Sequence, residues 1–166
     1  MADGVATSTD LNDLERSVIA FCCDGVRVLG LPKSVGEIYG LLYISPDPQS
    51  LHDLVTRLGI SKGSASQGLR FLRTLGAVVE VSGPDERRTY FKADTNLKQL
   101  VGGFIREEIR PHLQSGDTKL EALADAAALE GDEELREFYE RRVSRLKHWT
   151  KQARLILPLV QRVLGE

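Results

Sequence analysis

The chain of 166 residues contains only two cysteines, Cys22 and Cys23, and they are adjacent. Neighbouring cysteines cannot readily bridge each other within a helix, and no zinc-type spacing exists. A disulfide framework is therefore excluded, and the usage fits a reducing compartment. The three histidines, His52, His112 and His148, are scattered with no metal-ligand spacing between them. Ser61, Ser64 and Ser66 have no assignable His/Asp pair, and the glycines at 63, 68 and 76 follow no phosphate-loop pattern. An enzyme is not expected, nor is a cofactor or a bound metal. The longest apolar runs, such as VIAFCC at 18–23, are far too short to span a bilayer, so no membrane partner is expected. The opening MADGVATSTD has no basic start and no apolar core, which reads against a signal peptide and for a cytoplasmic location.

What is present is an ordinary soluble composition, 42% hydrophobic and 28% charged. The length suits one domain, or a small domain with an appended helical part. The net charge of −2 conceals an uneven distribution. Residues 1–49 hold 3 Lys/Arg and 7 Asp/Glu, residues 50–92 hold 7 and 4, and residues 93–166 hold 12 and 13. Positive charge is thus concentrated in the middle, where a polyanionic partner would be met.

Residues 1–9 read as a disordered tail of small and polar residues. From Asp10, a plausible N-cap, Leu11, Leu14, Val18, Phe21, Cys22, Gly25 and Leu29 recur with helical spacing until Gly30 and Pro32 stop the helix. Ser34 is expected to cap a second helix with Val35, Ile38, Leu41 and Leu42 on its inner face. Pro46 and Pro48 mark a turn. Ser50 opens a third helix, with Asp53 completing a capping box. Gly59 permits a sharp turn, and Ser61 caps a fourth helix whose inner side is Ala65, Leu69, Leu72 and Leu75. Gly76 ends it. Val78 to Ser82 and Arg88 to Ala93 read as a hairpin with Gly83-Pro84-Asp85-Glu86 at its tip.

Two short helices joined at a tight turn and followed by a hairpin form a winged helix-turn-helix, a unit that reads duplex DNA. The expected fold is mainly α with a small β-hairpin wing, extended by N- and C-terminal dimerisation helices. Its parts are the winged domain with its leading helix at 10–94 and a helical dimerisation or effector region at 95–166. The latter begins with an apolar face through Phe104, and Pro111 is expected to kink or end that helix. After an Ala-rich stretch near 118–129, Asp132 caps a long final helix. Its stripe runs Leu135, Phe138/Tyr139, Val143, Leu146, Trp149, Ala153 and Ile156/Leu157, and Pro158 is expected to bend or interrupt it. So much apolar helix surface beside so small a reader points to a homodimer, which presents two recognition helices to a symmetric site.

If Ala65, Leu69 and Leu72 face inward, Lys62, Gly63, Ser64, Ser66, Gln67, Arg70 and Arg73 face outward. Gln67 suits adenine; Arg70 and Arg73 suit phosphates or guanine; Ser61 and the first turn suit a backbone phosphate. Arg87 and Arg88 near the hairpin tip suit the minor groove, with strand alternation sending them to opposite sides, so that one reaches DNA while the other can pair with Asp85. Phe21, Tyr39, Tyr43, Phe104 and Trp149 are candidates to line a cleft for a small-molecule effector, an aromatic cage being suited to a quaternary ammonium group.

The stretch 32–78 with the later PDERRTYF resembles the GbsR branch of the MarR-type transcriptional regulators, most specifically at LGISKGSASQGLRFLRTLGAV. The resemblance covers roughly residues 10–110. It implies a winged-helix homodimer that binds operator DNA and usually represses, with Ser61–Arg73 as recognition helix and Asp85–Arg88 as wing; the expected location is the cytoplasm, in association with the nucleoid. Some members of that branch respond to choline or related osmolyte precursors. Two other readings share the scaffold: a thiol sensor acting through Cys22 or Cys23, and a protein-interaction module that does not touch DNA.

Overall fold

The structure is a computed structural model that describes residues 10–164; the tail expected over residues 1–9 lies outside the described residues. The elements in chain order are α1 (Asp13–Val28), α2 (Lys33–Ile44), β1 (Gln49–Ser50), α3 (Leu51–Leu58), α4 (Lys62–Thr74), β2 (Val78–Val81), β3 (Tyr90–Ala93), α5 (Leu97–Phe104), a π-helical turn (Ile105–Ile109), α6 (Arg110–Ala128) and α7 (Glu133–Leu164). They divide into two units, Met1–Leu100 and Val101–Glu166. Among the described residues no helix is long and apolar enough to cross a membrane.

The first unit is a winged helix-turn-helix, mainly helical with a three-stranded antiparallel sheet in the order β1-β3-β2. Strand β3 is central: Phe91 faces Gln49 on one side and Glu80 on the other. Ile38 and Leu41 of α2, Leu54 of α3, Leu72 of α4 and Leu75 just beyond it are fully buried. Each contributes about 2 kcal/mol by leaving water. Around this core α3 and α4 are set by local chemistry. Ser50 accepts from the Asp53 N–H at 3.3 Å, and Asp53 accepts from the Ser50 N–H at 2.8 Å, closing the expected capping box. Gly59 takes φ 64°, a left-handed conformation that a side chain would strain. Ser61 then caps α4 by accepting from the Ser64 N–H at 3.1 Å.

Helices α1 and α2 approach closely because α2 places Gly36 and Gly40 four residues apart. A Cβ on Gly36 would lie 2.7 Å from Cys23 Cα, and one on Gly40 would lie 2.8 Å from Ile19 Cα. The N-terminus of α1 is tied to α3 by an ion pair, Glu15 Oε1 to Arg57 Nη2 at 2.7 Å, with side chains 10% and 17% exposed. Burial raises the Glu15 carboxyl, but the Asn12 N–H and the Arg57 hydrogen bond and charge outweigh it and hold the group below its ordinary value.

Several expectations are corrected. Asn12, not Asp10, caps α1, because Glu15 stands three residues beyond Asn12 and completes a capping box with it. Ser34 is not the cap of α2. Pro32 holds that position with φ −59°, already set for helix entry, and Ser34 lies in the first turn. The buried side of α1 is Glu15, Ile19 and Val26, while Leu14 and Phe21 of the apolar stripe are 63% and 76% exposed. The hairpin strands are shorter than expected, so Arg87 and Arg88 lie in the connecting loop and strand alternation does not direct them. Strand β1 was not anticipated.

In the second unit Pro111 does not end the helix. It sits in the first turn of α6 directly after the π-helical turn, and the helical backbone continues through it to Ala128. The Ala-rich stretch is the second half of α6. Asp132 caps α7 as expected, accepting from the Leu135 N–H at 2.9 Å. Pro158 lies inside α7, which continues through it to Leu164. Arg154 of α7 joins α6 by an ion pair to Asp117 and a hydrogen bond to the Leu113 carbonyl, both at 2.5 Å.

Candidate nucleic-acid interface

Helix α4 buries Ala65, Gly68, Leu69 and Leu72 and turns Lys62, Gly63, Ser66, Gln67, Arg70 and Arg73 to the exterior. The 3.6-residue period produces this division. The outward surface is small and polar in the first turns, then cationic, and α4 contains no carboxylate. Side chains of this kind can enter a groove, donate to acceptors on base edges, and approach phosphates without repulsion.

Not every expected residue is equally available. Ser61 is exposed, but its hydroxyl is committed to the cap and lies 2.9 Å from Ser64 Oγ. Ser64 is half-buried and shares that bond, so it holds the start of α4 rather than projecting from it. Arg73 faces outward and pairs with Glu80 of β2 at 2.8 Å, which ties the end of α4 to the sheet. On the wing Arg88 Nε pairs with Asp85 at 3.2 Å. Arg87 is exposed, and its backbone N–H donates to Asp85 Oδ1 at 3.0 Å, so Asp85 shapes the turn that presents it.

Beside α4 a cleft of about 480 Å³ opens between α3, the first turn of α4 and the wing. Leu51, Val55 and Phe91 line it with Ser50, and the exposed His52, Lys62, Arg88 and Thr89 surround it. Sequence reasoning missed His52 and Thr89. The usable signal was that Ser50 caps α3, which places His52 in its outward first turn.

A second cleft, of about 270 Å³, brings together Phe21, Tyr39 and Tyr43 with Ser17, Val18, Cys22 and Leu97. The Tyr39 and Tyr43 rings are tilted at 44° with centroids 5.9 Å apart. Tyr39 is buried, and its hydroxyl donates to the Asp94 carbonyl at 2.8 Å. Burial raises that hydroxyl far above its ordinary value, so it stays protonated. Of the expected aromatic residues, Phe104 and Trp149 belong to the other unit and do not line this cleft. Burial also raises both thiols, Cys22 and Cys23, which is opposite to what a reactive thiolate requires.

No family model matches the chain. The HTH-type transcriptional regulator MmpR5 of Mycobacterium tuberculosis is 36% identical over 100 residues, 58% of this chain and 59% of that protein. The match therefore spans about three fifths of that relative's length. A crystal structure of a transcriptional regulator superposes with a TM-score of 0.69 at 23% identity, covering 91% of this chain and 95% of the other. That likeness is one of fold. A mutant of MepR from a multidrug resistant S. aureus clinical isolate aligns at a TM-score of 0.40 and 17% identity over 83% of this chain and 91% of that one, too loose to carry an argument.

Proposed function

We propose that this chain is a DNA-binding transcriptional regulator, a repressor that acts as a homodimer on a pseudo-palindromic operator in the nucleoid. One observation carries the reading: α4, set behind the left-handed Gly59 turn and beside the wing, turns a carboxylate-free face of Lys62, Ser66, Gln67, Arg70 and Arg73 outward. Gln67 is assigned to a base edge, Arg70 and Arg73 to phosphates or guanine, and Ser61 and Ser64 to holding the helix start against the backbone. Arg87 is assigned to the minor groove, because Arg88 is partly engaged by Asp85. The name of the M. tuberculosis relative supports the regulatory role, and the resemblance at LGISKGSASQGLRFLRTLGAV supports the GbsR branch.

The dimer rests on unpartnered apolar surface. In α1 Leu14, Phe21 and Val28 are exposed, and in α7 so are Leu146, Trp149, Leu155 and Leu159. A monomer rarely leaves so much apolar helix surface in water, and a two-fold assembly would cover it. The cleft of Phe21, Tyr39 and Tyr43 is the proposed effector site, and a ligand there would favour a dimer geometry whose recognition helices miss the half-sites. Calorimetry with choline tests the quaternary-ammonium version of that idea. No heat and no loss of operator binding would remove it.

The function itself is tested by selecting bound fragments from the source genome and footprinting them. The expected footprint has two half-sites related by a dyad and spaced about one helical turn, roughly 34 Å, apart. Failure to enrich any sequence, or protection without symmetry, would defeat the reading.

A further inference from the structure

The cleft beside α4 has a shape and charge that the groove-reading face does not use. Its rim carries Lys62 and Arg88 with two further hydrogen-bonding side chains, His52 and Thr89, and no carboxylate lines it. Asp53, next to His52 in sequence, is turned to the cap, where Oδ2 accepts from the Ser50 N–H at 2.8 Å and the Ser50 hydroxyl at 2.7 Å. Asp85 approaches Arg88 from the wing and screens it only in part, since both side chains are about half exposed.

We propose that this cleft is a trough for one sugar-phosphate strand of the duplex whose major groove receives α4, with His52 and Thr89 as phosphate-contacting residues beside Lys62 and Arg88. The proposal rests on the DNA-binding reading above and extends it to residues outside α4. Three observations favour a polymer strand as the occupant. All four rim side chains are exposed, so an occupant larger than the cleft itself can reach them. Lys62 belongs both to the cleft and to the outward face of α4, so the two surfaces are continuous. The lining from Leu51, Val55 and Phe91 is apolar beneath a cationic rim. A backbone strand presents the same pair of surfaces, with C–H faces of deoxyribose flanked by phosphate oxygens. Contacts of this kind position the protein and carry no sequence information.

The test is fluorescence-anisotropy titration of the full chain with a short duplex of mixed sequence over a range of salt. Arg88→Gln is expected to reduce the slope of log affinity against log salt by about 0.9, the value of one phosphate contact. His52→Ala and Thr89→Val are each expected to weaken binding about fivefold, as a lost hydrogen bond does, and equally on unrelated duplexes. Thr89→Trp, which fills the trough from an exposed position, is expected to weaken binding by about tenfold or more with an unchanged melting temperature. If the wild type binds and Arg70→Ala weakens it, while His52→Ala, Thr89→Val and Thr89→Trp bind like the wild type, the trough is empty in the complex and the proposal is wrong. Benzoate shifting the cleft amides where duplex DNA does not would make it a small-anion site and overturn the proposal equally. No duplex binding by the wild type at low salt would remove the DNA reading itself, and the trough with it.

Discussion

Replacing Gly36 by alanine should separate two helices that the rest of the winged domain is built against. The new Cβ would stand 2.7 Å from Cys23 Cα, 2.8 Å from Cys23 N and 2.8 Å from Val26 Cγ2. Carbon–carbon contact begins at about 3.5 Å, so α1 must withdraw by roughly 0.8 Å. Two of the three obstructing atoms are backbone and cannot rotate aside. Overpacking of this kind costs about 1–3 kcal/mol, and the backbone obstruction places Gly36→Ala toward the upper end. Alanine returns about 1 kcal/mol of helix propensity, leaving a net loss of about 2 kcal/mol. Gly25 of α1 is the control, because a Cβ there meets nothing within 4 Å. Gly25→Ala should therefore stabilise the protein by about 0.5–1 kcal/mol. Urea unfolding followed by helical circular dichroism, at one fixed protein concentration, reads both changes. The expected midpoints move in opposite directions. If Gly36→Ala is as stable as Gly25→Ala, the close approach of α1 and α2 is not as described.

Other outcomes follow from the same contacts. Glu15→Gln leaves the Arg57 guanidinium with a 3.3 Å bond to Gln49 and no charge partner, a loss of about 2–3 kcal/mol near neutral pH. Because folding lowers the Glu15 carboxyl, its contribution is full above its ordinary 4.5 and is lost as pH falls below that value. The stability gap between wild type and Glu15→Gln should therefore close on acidification, and a gap that widens would contradict the pairing. Tyr39→Phe removes the bond to the Asp94 carbonyl that joins α2 to the end of β3, and should lower stability by about 1 kcal/mol in the same urea assay. The thiols of Cys22 and Cys23, both raised by burial, should react with iodoacetamide more slowly than free cysteine at mildly alkaline pH; faster alkylation would reopen the thiol-sensor reading.

The helix-turn-helix and its wing were legible in the sequence because their signals are local. The Ser50–Asp53 capping box, the left-handed Gly59, the Ser61 cap and the glycine after α4 each act within a few residues. The exposed face of α4 followed from period alone. Other features depend on groups far apart in the chain. The Glu15–Arg57 pair spans 42 residues, and it makes a charged residue part of the buried side of α1. Apolar spacing therefore selected the stripe of Leu14 and Phe21, which in the single chain is the outer one. Strand β1 has two residues, too few for any alternation to register. The π-helical turn lies directly before Pro111, and a proline read from sequence alone does not separate such a turn from a break. His52 and Thr89 lie 37 positions apart and meet at one cleft only after α3 and the wing have folded together.

The most direct measurement of the central claim is the backbone amide spectrum of isotopically labelled protein during titration with duplex DNA at low salt. Shifts concentrated at Lys62, Gly63, Ser66, Gln67, Arg70 and Arg73, with Arg87 on the wing, are the predicted result. Shifts confined to α1 or α7, with α4 unchanged, would contradict it.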